Sequence, residues 1–180
     1  MNFILIFLIL IVLWAAVTYN SFITLRGRVD NAWAQIDVQL KRRFDLIPNL
    51  VNTVKGYAQH EKETLEKVTE SRTKYLAAKT PDEKLQANSE LAGALGRLFA
   101  VAESYPDLKA NASFLDLQKQ LKETEDKIGF SRQFYNDTAM KYNVSIVKVP
   151  ASIIANLFGF KSRPYFEAEG ESRESVEVKF

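Results

Sequence analysis

Residues 37–54, DVQLKRRFDLIPNLVNTV, decide how many helices the chain forms, because a proline interrupts their helical pattern at position 48. A proline inside a helix costs about 3 kcal/mol or more, since it removes a hydrogen bond and clashes with the carbonyl four residues before it. In the first turn of a helix it costs little. Asp45 is a suitable N-cap, and the basic cluster Lys41–Arg43 suits a helix C-terminus. Of the two alternatives, a kinked continuous helix and a turn, we favour the turn: one helix ends near Arg43 and the next begins at Asp45.

Apolar residues recur at steps of three and four, the spacing of amphipathic helices, in the rest of the chain. Thr80 to Glu83, TPDE, predicts a helix start with an N-cap, a proline at the first position and a capping box. No segment after the N-terminal stretch alternates with period two. We therefore predict an all-α fold, in which an N-terminal transmembrane helix precedes an up-and-down four-helix bundle with long antiparallel helices. The four helices follow the apolar patterns of Val29–Leu40, Ile47–Tyr75, Leu85–Ala102 and Leu117–Tyr142, the last with heptad spacing.

The N-terminal segment carries no acidic or basic side chain before Arg26. Residues 4–22 are long and apolar enough to cross a bilayer, so membrane lipid is their expected partner. A cleaved signal peptide is the alternative, but no Lys or Arg precedes the apolar run, which favours an uncleaved anchor. Because Arg26 and Arg28 follow the segment, we expect a single-pass protein of the bacterial cell membrane, with its N-terminus outside and its main domain in the cytoplasm.

Four stretches occur in the order found in a known family: LRGRVDNAWAQIDVQLKRRFDLIPNLVNTVKGYAQHE, LAGALGRLFAVAESYPDLKAN, FLDLQKQLKETEDKI and RQFYNDTAMKYN. In these stretches the chain resembles the LemA family of bacterial membrane proteins, over Arg26 to Phe166. The resemblance implies an N-terminal membrane helix followed by a four-helix bundle, in agreement with the spacing. It implies no enzyme activity, because the family has no agreed biochemical function. One branch of the family is associated with magnetosome membranes.

The composition excludes several classes of chemistry. Without cysteine there is no disulfide, thiol catalysis or lipid-modified cysteine. His60 is the only histidine, so a zinc site lacks ligands. No nucleophile motif or glycine-rich phosphate loop is present. A net charge of +2, with Lys41–Arg43 as the one dense basic run, argues against nucleic acid. We expect no enzyme activity, no cofactor and no metal.

Two groups of residues are candidate sites. Polar residues surround the expected turn and either form a structural network that fixes helix register or dock a partner: Arg42, Arg43, Asp45 and Asn49. Arg132, Asn136 and Asn143 similarly interrupt the fourth helix. Apolar residues of the C-terminal segment pack on the bundle, lie at the bilayer surface or dock a neighbouring subunit: Ile153, Ile154, Leu157, Phe158 and Phe160. An up-and-down bundle returns this segment to the bilayer, so we predict contact with the membrane or with an adjacent anchor.

The predicted organisation has four parts: an anchor at 1–25, the four-helix bundle at 26–148, an apolar membrane-proximal segment at 149–166 and a mobile tail at 167–180. The favoured function is a non-enzymatic membrane-anchored scaffold or adaptor that contacts an unidentified protein partner and self-assembles into a homo-oligomer. The alternatives are a membrane-surface or membrane-remodelling protein and a membrane enzyme with an unrecognised site.

Overall fold

Helix formers dominate the chain, and the structure is correspondingly helical. The computed structural model describes residues 2–166, and these contain no β-strand. The helices, in chain order, are α1 (Asn2–Lys55), α2 (Lys62–Ala77), α3 (Pro81–Ala102), α4 (Pro106–Lys109), α5 (Ala112–Val147) and α6 (Ala151–Leu157). The predicted all-α class is confirmed. The predicted mobile tail, 167–180, lies outside the described residues.

Helix α1 runs through Pro48 without a break, so the turn predicted at Arg43–Asp45 is wrong. Asp45 is an exposed mid-helix residue and not an N-cap. The physical reason is a stripe of fully buried side chains on both sides of the proline, at steps of three and four: Ile36, Leu40, Phe44, Ile47, Leu50 and Val54. Burial of each contributes about 1.5–3 kcal/mol, which together outweighs about 3 kcal/mol for an interior proline. A turn would take half of this stripe off the common face.

The first turn lies instead at residues 56–61, within the stretch predicted to be the second helix. Gly56 follows the last residue of α1, and glycine disfavours helix by about 1 kcal/mol relative to alanine. The turn is closed by backbone bonds from the Tyr57 and Ala58 N–H groups to the Val54 carbonyl, at 3.0 and 2.9 Å. Ala58 is buried, which ties the turn to the core.

The start of α3 is as predicted. The Thr80 hydroxyl accepts a hydrogen bond from the Glu83 N–H at 3.2 Å, and Pro81 occupies the first helical position. The Glu83 carboxylate accepts from the Lys79 and Thr80 N–H groups, at 2.7 and 3.2 Å. These bonds lower the pKa of Glu83, because they favour its charged form.

The heptad seam of α5 also agrees with the prediction. Ser131 is half-buried, and the other seam residues are buried: Leu117, Leu121, Thr124, Ile128, Tyr135, Thr138 and Tyr142. The hydroxyls of Thr124 and Thr138 donate hydrogen bonds to the carbonyls of Gln120 and Phe134, at 2.7 and 2.8 Å. Buried hydroxyls satisfied within their own helix leave the seam free to pack against other helices.

The chain divides into two compact units. The bundle unit, Ile36–Gly129, holds the end of α1, helices α2, α3 and α4, and the start of α5. Successive long helices in it are joined by short turns, which gives the predicted up-and-down arrangement with shifted helix limits. The anchor unit comprises Met1–Gln35 and Phe130–Phe180, of which the structure describes residues up to 166. The four-part boundaries predicted from the sequence stay a prediction.

Candidate functional site

The predicted polar group around the supposed turn is not one cluster. Because α1 continues, Arg42, Asp45 and Asn49 lie on its exposed face, whereas Arg43 points into the bundle unit and is buried. The Arg43 guanidinium donates to Asn88 Oδ1 at 2.7 Å and forms an ion pair with Glu125. A single side chain of α1 thereby binds α3 and α5.

A buried charge is unfavourable unless it is paired, so these contacts favour one register of the three helices. For Arg43 the geometry therefore agrees with the structural alternative. Asn88 and Glu125 were not predicted from the sequence. Asn88 could have been noticed in the sequence because it is a polar residue on the apolar stripe of α3, three positions before Leu91. Partner docking by the exposed Arg42, Asp45 and Asn49 remains a prediction.

A second polar contact in the bundle unit also involves α1. Asp37 accepts hydrogen bonds from Lys84 Nζ at 2.6 Å and from the Tyr75 hydroxyl at 3.3 Å. The Tyr75 ring stacks on Phe44, with centroids 4.0 Å apart. Burial, together with the nearby Asp37 carboxylate, raises the pKa of Tyr75. Like Arg43, Asp37 joins α1 to the helices packed on it.

In the anchor unit, residues 161–166 have no regular secondary structure and form a strap along α5. Asn143 accepts from the Arg163 N–H and donates to its carbonyl, both at 2.8 Å. Asn136 holds Phe166 in the same way, at 2.8 and 2.9 Å. Seven residues of α-helix rise about 10.5 Å and three extended residues span about 9.3 Å. The two asparagines are therefore spaced to bind every third residue of an extended chain.

Aromatic and charged side chains complete the attachment of the strap. The Tyr142 hydroxyl donates to the Lys161 carbonyl at 3.0 Å. Arg163 pairs with Asp30 of α1 at 2.8 Å, and the Phe166 ring stacks on Trp33 with centroids 5.5 Å apart. The polarity of Asn136 and Asn143 was visible in the sequence, but their strap partners were not.

The predicted C-terminal contact residues divide into two groups. Ile154 is only 6% exposed, and Phe160 packs on Tyr19 and Phe22 of α1, with centroids 5.7 and 5.2 Å apart. Both contact their own chain, which for these two residues agrees with the alternative that the segment packs on the protein itself. The exposed fractions of Ile153, Leu157 and Phe158 are 64%, 73% and 57%. Membrane or subunit contact stays a prediction for these three.

Two further apolar surfaces are exposed. Every residue from Phe3 to Trp14 of α1 is exposed, and α1 is the one helix within residues 2–166 that is long and apolar enough to cross a membrane, by length and composition. The α5 face, which was not predicted, consists of exposed apolar side chains on the part of α5 in the anchor unit: Phe130, Phe134, Met140, Val144 and Val147.

Among the described residues, no group of three or more His, Cys, Asp or Glu side chains is placed to hold a metal ion.

Comparison with known proteins identifies the family. The family model described as LemA family matches residues 32–180. The chain belongs to the LemA family. The match starts after the apolar segment and includes both units, so the resemblance recognised in the sequence is confirmed.

Curated relatives extend this LemA assignment. Magnetosome protein MamQ 2 of Paramagnetospirillum magneticum is 28% identical over 175 residues, with 83% of this chain and 64% of that protein covered. Magnetosome protein MamQ of Magnetospirillum gryphiswaldense is 26% identical, with 82% and 64% covered. Protein LemA of Metamycoplasma hominis is 28% identical over 163 residues, with 88% and 73% covered. The LemA chain therefore spans less than two thirds of the length of its magnetosome relatives.

Proposed function

We propose that this LemA-family chain is a non-enzymatic, membrane-anchored helical scaffold or adaptor that acts through protein–protein contacts and assembles with copies of itself. The observation that carries the proposal is the α5 face. Its members include Phe130, which is 72% exposed, and they recur along more than four turns of one helix. Exposed apolar surface of this extent is typical of an interaction site.

The chemistry of the α5 face favours protein over lipid as its partner. Asp137 and Lys141 lie between Phe134 and Val144 on the same side of the helix, and both are exposed. Charged side chains are costly in hydrocarbon, whereas in a protein interface they can pair with opposite charges of the partner. Large aromatic residues such as Phe130 and Phe134 are enriched in such interfaces.

Site-specific photo-cross-linking in native membranes tests this function. A photoreactive phenylalanine analogue replaces Phe134 in the full chain, and a matched control carries it at Leu115, an exposed apolar position of α5 in the bundle unit. We expect a discrete adduct from position 134, either with a second copy or with one recurrent protein, and little from position 115. Adducts with lipid alone, or equal diffuse adducts from both positions, would contradict the scaffold function.

We also propose that α1 is an uncleaved single-pass anchor with its N-terminus outside and the remainder of the chain in the cytoplasm. Arg26 and Arg28, which follow the span, support this orientation. Protease added to intact spheroplasts should leave the chain beyond Arg26 undigested and should digest it after lysis. Digestion before lysis would reverse the orientation.

A second candidate function, a membrane-surface or membrane-remodelling protein, has one specific observation in its favour. The exposed Ile153 and Leu157 belong to α6, and the exposed Phe158 follows it. Phe158 contacts Tyr19 near the end of the apolar stretch, with centroids 4.8 Å apart. Amphipathic segments in this position bury apolar side chains at the bilayer surface.

Fluorescence quenching separates this candidate from the scaffold. The chain has no cysteine, so a dye on Leu157→Cys of the full chain is specific. Spin-labelled lipids should quench it more strongly than the same dye on Leu115→Cys. Equal quenching at the two positions would contradict the membrane-surface function and would not bear on the scaffold function.

A further inference from the structure

A cavity of about 220 Å³ lies in the anchor unit, between α1, α5 and the strap. Three of its lining side chains are basic, Arg26 from α1 and Lys161 and Arg163 from the strap. Ser162 adds a hydroxyl. The volume corresponds to about seven water molecules, which is room for a phosphate group and part of a small headgroup.

The charges of this cavity are not balanced within the described part of the chain. Arg163 pairs with Asp30, but neither Arg26 nor Lys161 has a carboxylate partner among residues 2–166. Three cations against one carboxylate leave two positive charges facing a small cavity. Basic side chains that converge in this way suit a phosphate, which accepts several charge-assisted hydrogen bonds.

Side chains of α5 fix the strap backbone at two of these basic residues, Lys161 and Arg163. The Lys161 carbonyl accepts from the Tyr142 hydroxyl at 3.0 Å, and both backbone groups of Arg163 are bound by Asn143. A preorganised backbone reduces the entropy lost on binding. The strap side of the cavity therefore has a fixed backbone.

The position of Arg26 along α1 places the cavity at the depth of lipid phosphates. Phe3 to Phe22 form a helical stretch of about 30 Å, the thickness of the hydrocarbon core of a bilayer. Arg26 lies four residues further along the helix, about 6 Å beyond that edge. Phe160, which lines the cavity, contacts Tyr19 and Phe22 in the last turn of that stretch, at a level where Tyr and Trp are common.

We propose that this cavity binds the phosphate of one anionic phospholipid, with Arg26 and Lys161 as its direct ligands. The lipid lies in the leaflet at which α1 leaves the membrane, and its acyl chains extend along the apolar part of α1. This binding rests on α1 being an anchor but does not depend on the α5 face, so it goes beyond the scaffold function. A water-soluble phosphate is the other source of the same chemistry.

Energy transfer measures the binding in the full chain. The two tryptophans, Trp14 and Trp33, serve as donors, and phosphatidylglycerol with a dansyl group on an acyl chain is the acceptor, in micelles of a neutral detergent. Unlabelled phosphatidylglycerol should displace the probe, whereas phosphatidylcholine and millimolar inorganic phosphate should not. Displacement by inorganic phosphate would make the cavity a site for a soluble anion and overturn the lipid assignment. Equal displacement by phosphatidylcholine would overturn it as well.

Matched variants separate the cavity from general surface charge. Arg26→Gln and Lys161→Gln should each raise the dissociation constant about fivefold, the factor equivalent to about 1 kcal/mol for one basic side chain at an anionic membrane surface. Arg26→Lys should restore binding. Arg28→Gln and Lys148→Gln remove the same charge from exposed positions outside the cavity lining and should change it less than twofold. Equal losses in the cavity and control variants, each with unchanged helicity, would show a diffuse electrostatic effect and refute the site.

Discussion

Replacement of Pro48 by alanine tests why α1 is continuous. Pro48 is exposed inside the helix, where its ring removes the hydrogen bond to the Phe44 carbonyl. Alanine restores the N–H and relieves the clash, a gain of about 3 kcal/mol on helix-propensity scales. Loss of the proline also increases the conformational entropy of the unfolded chain, which reduces this gain by about 0.4–1 kcal/mol. We therefore expect Pro48→Ala to raise the free energy of unfolding by about 2 kcal/mol.

Thermal unfolding followed by circular dichroism in detergent micelles measures this gain. For a chain of 180 residues, about 2 kcal/mol corresponds to a rise in Tm of about 4–8 °C. Pro81→Ala is the matched control, because Pro81 occupies the first position of α3, where proline costs little, and its replacement should leave Tm unchanged or slightly lower. A Tm unchanged or lowered by Pro48→Ala would refute the reasoning.

Three other predictions follow from single contacts. Asn143→Leu should leave both backbone groups of Arg163 without their side-chain partner, at a cost of about 1–3 kcal/mol. The amide hydrogen of residue 163 should then exchange faster with solvent, and unchanged exchange would show that other contacts hold the strap. Asn88→Ala should destabilise the bundle unit by about 1.5–3 kcal/mol in denaturant unfolding, because the buried Arg43 loses an acceptor. The raised pKa of Tyr75 favours its protonated form in the fold, so stability should be intact below the ordinary value of 10.0 and fall as pH rises above it. Tyr75→Phe should make that alkaline fall shallower, and an identical pH profile would count against burial of Tyr75.

Features set by neighbouring residues could be predicted from the sequence. The capping box at Thr80 and the seam of α5 depend on spacings of three, four and seven residues, and both are present in the structure. The path of α1 could not be predicted in this way. Capping preferences near Asp45 amount to about 1 kcal/mol, whereas the buried stripe that includes Phe44 and Ile47 involves several kcal/mol and depends on tertiary packing.

The candidate sites were predictable only as polarity or apolarity in unexpected places. Arg43 was identified, but its partners Asn88 and Glu125 are 45 and 82 residues away, and helical spacing gives no information on such pairs. The apolar C-terminal segment was identified too, but which of its residues the chain itself covers depends on the contacts of Phe160 with α1. Non-local pairings of this kind require the fold.

The scaffold function depends most directly on assembly through the α5 face, and the size of the complex extracted from native membranes measures it. The full chain is compared with a Phe130→Ser/Phe134→Ser variant and with a Leu76→Ser/Leu115→Ser control, which removes two exposed leucines of the bundle unit. We predict that the wild-type chain and the control migrate as a complex larger than one chain, and that the α5-face variant migrates as a monomer. A monomeric wild-type chain, or an α5-face variant that assembles like the wild type, would contradict the proposed function.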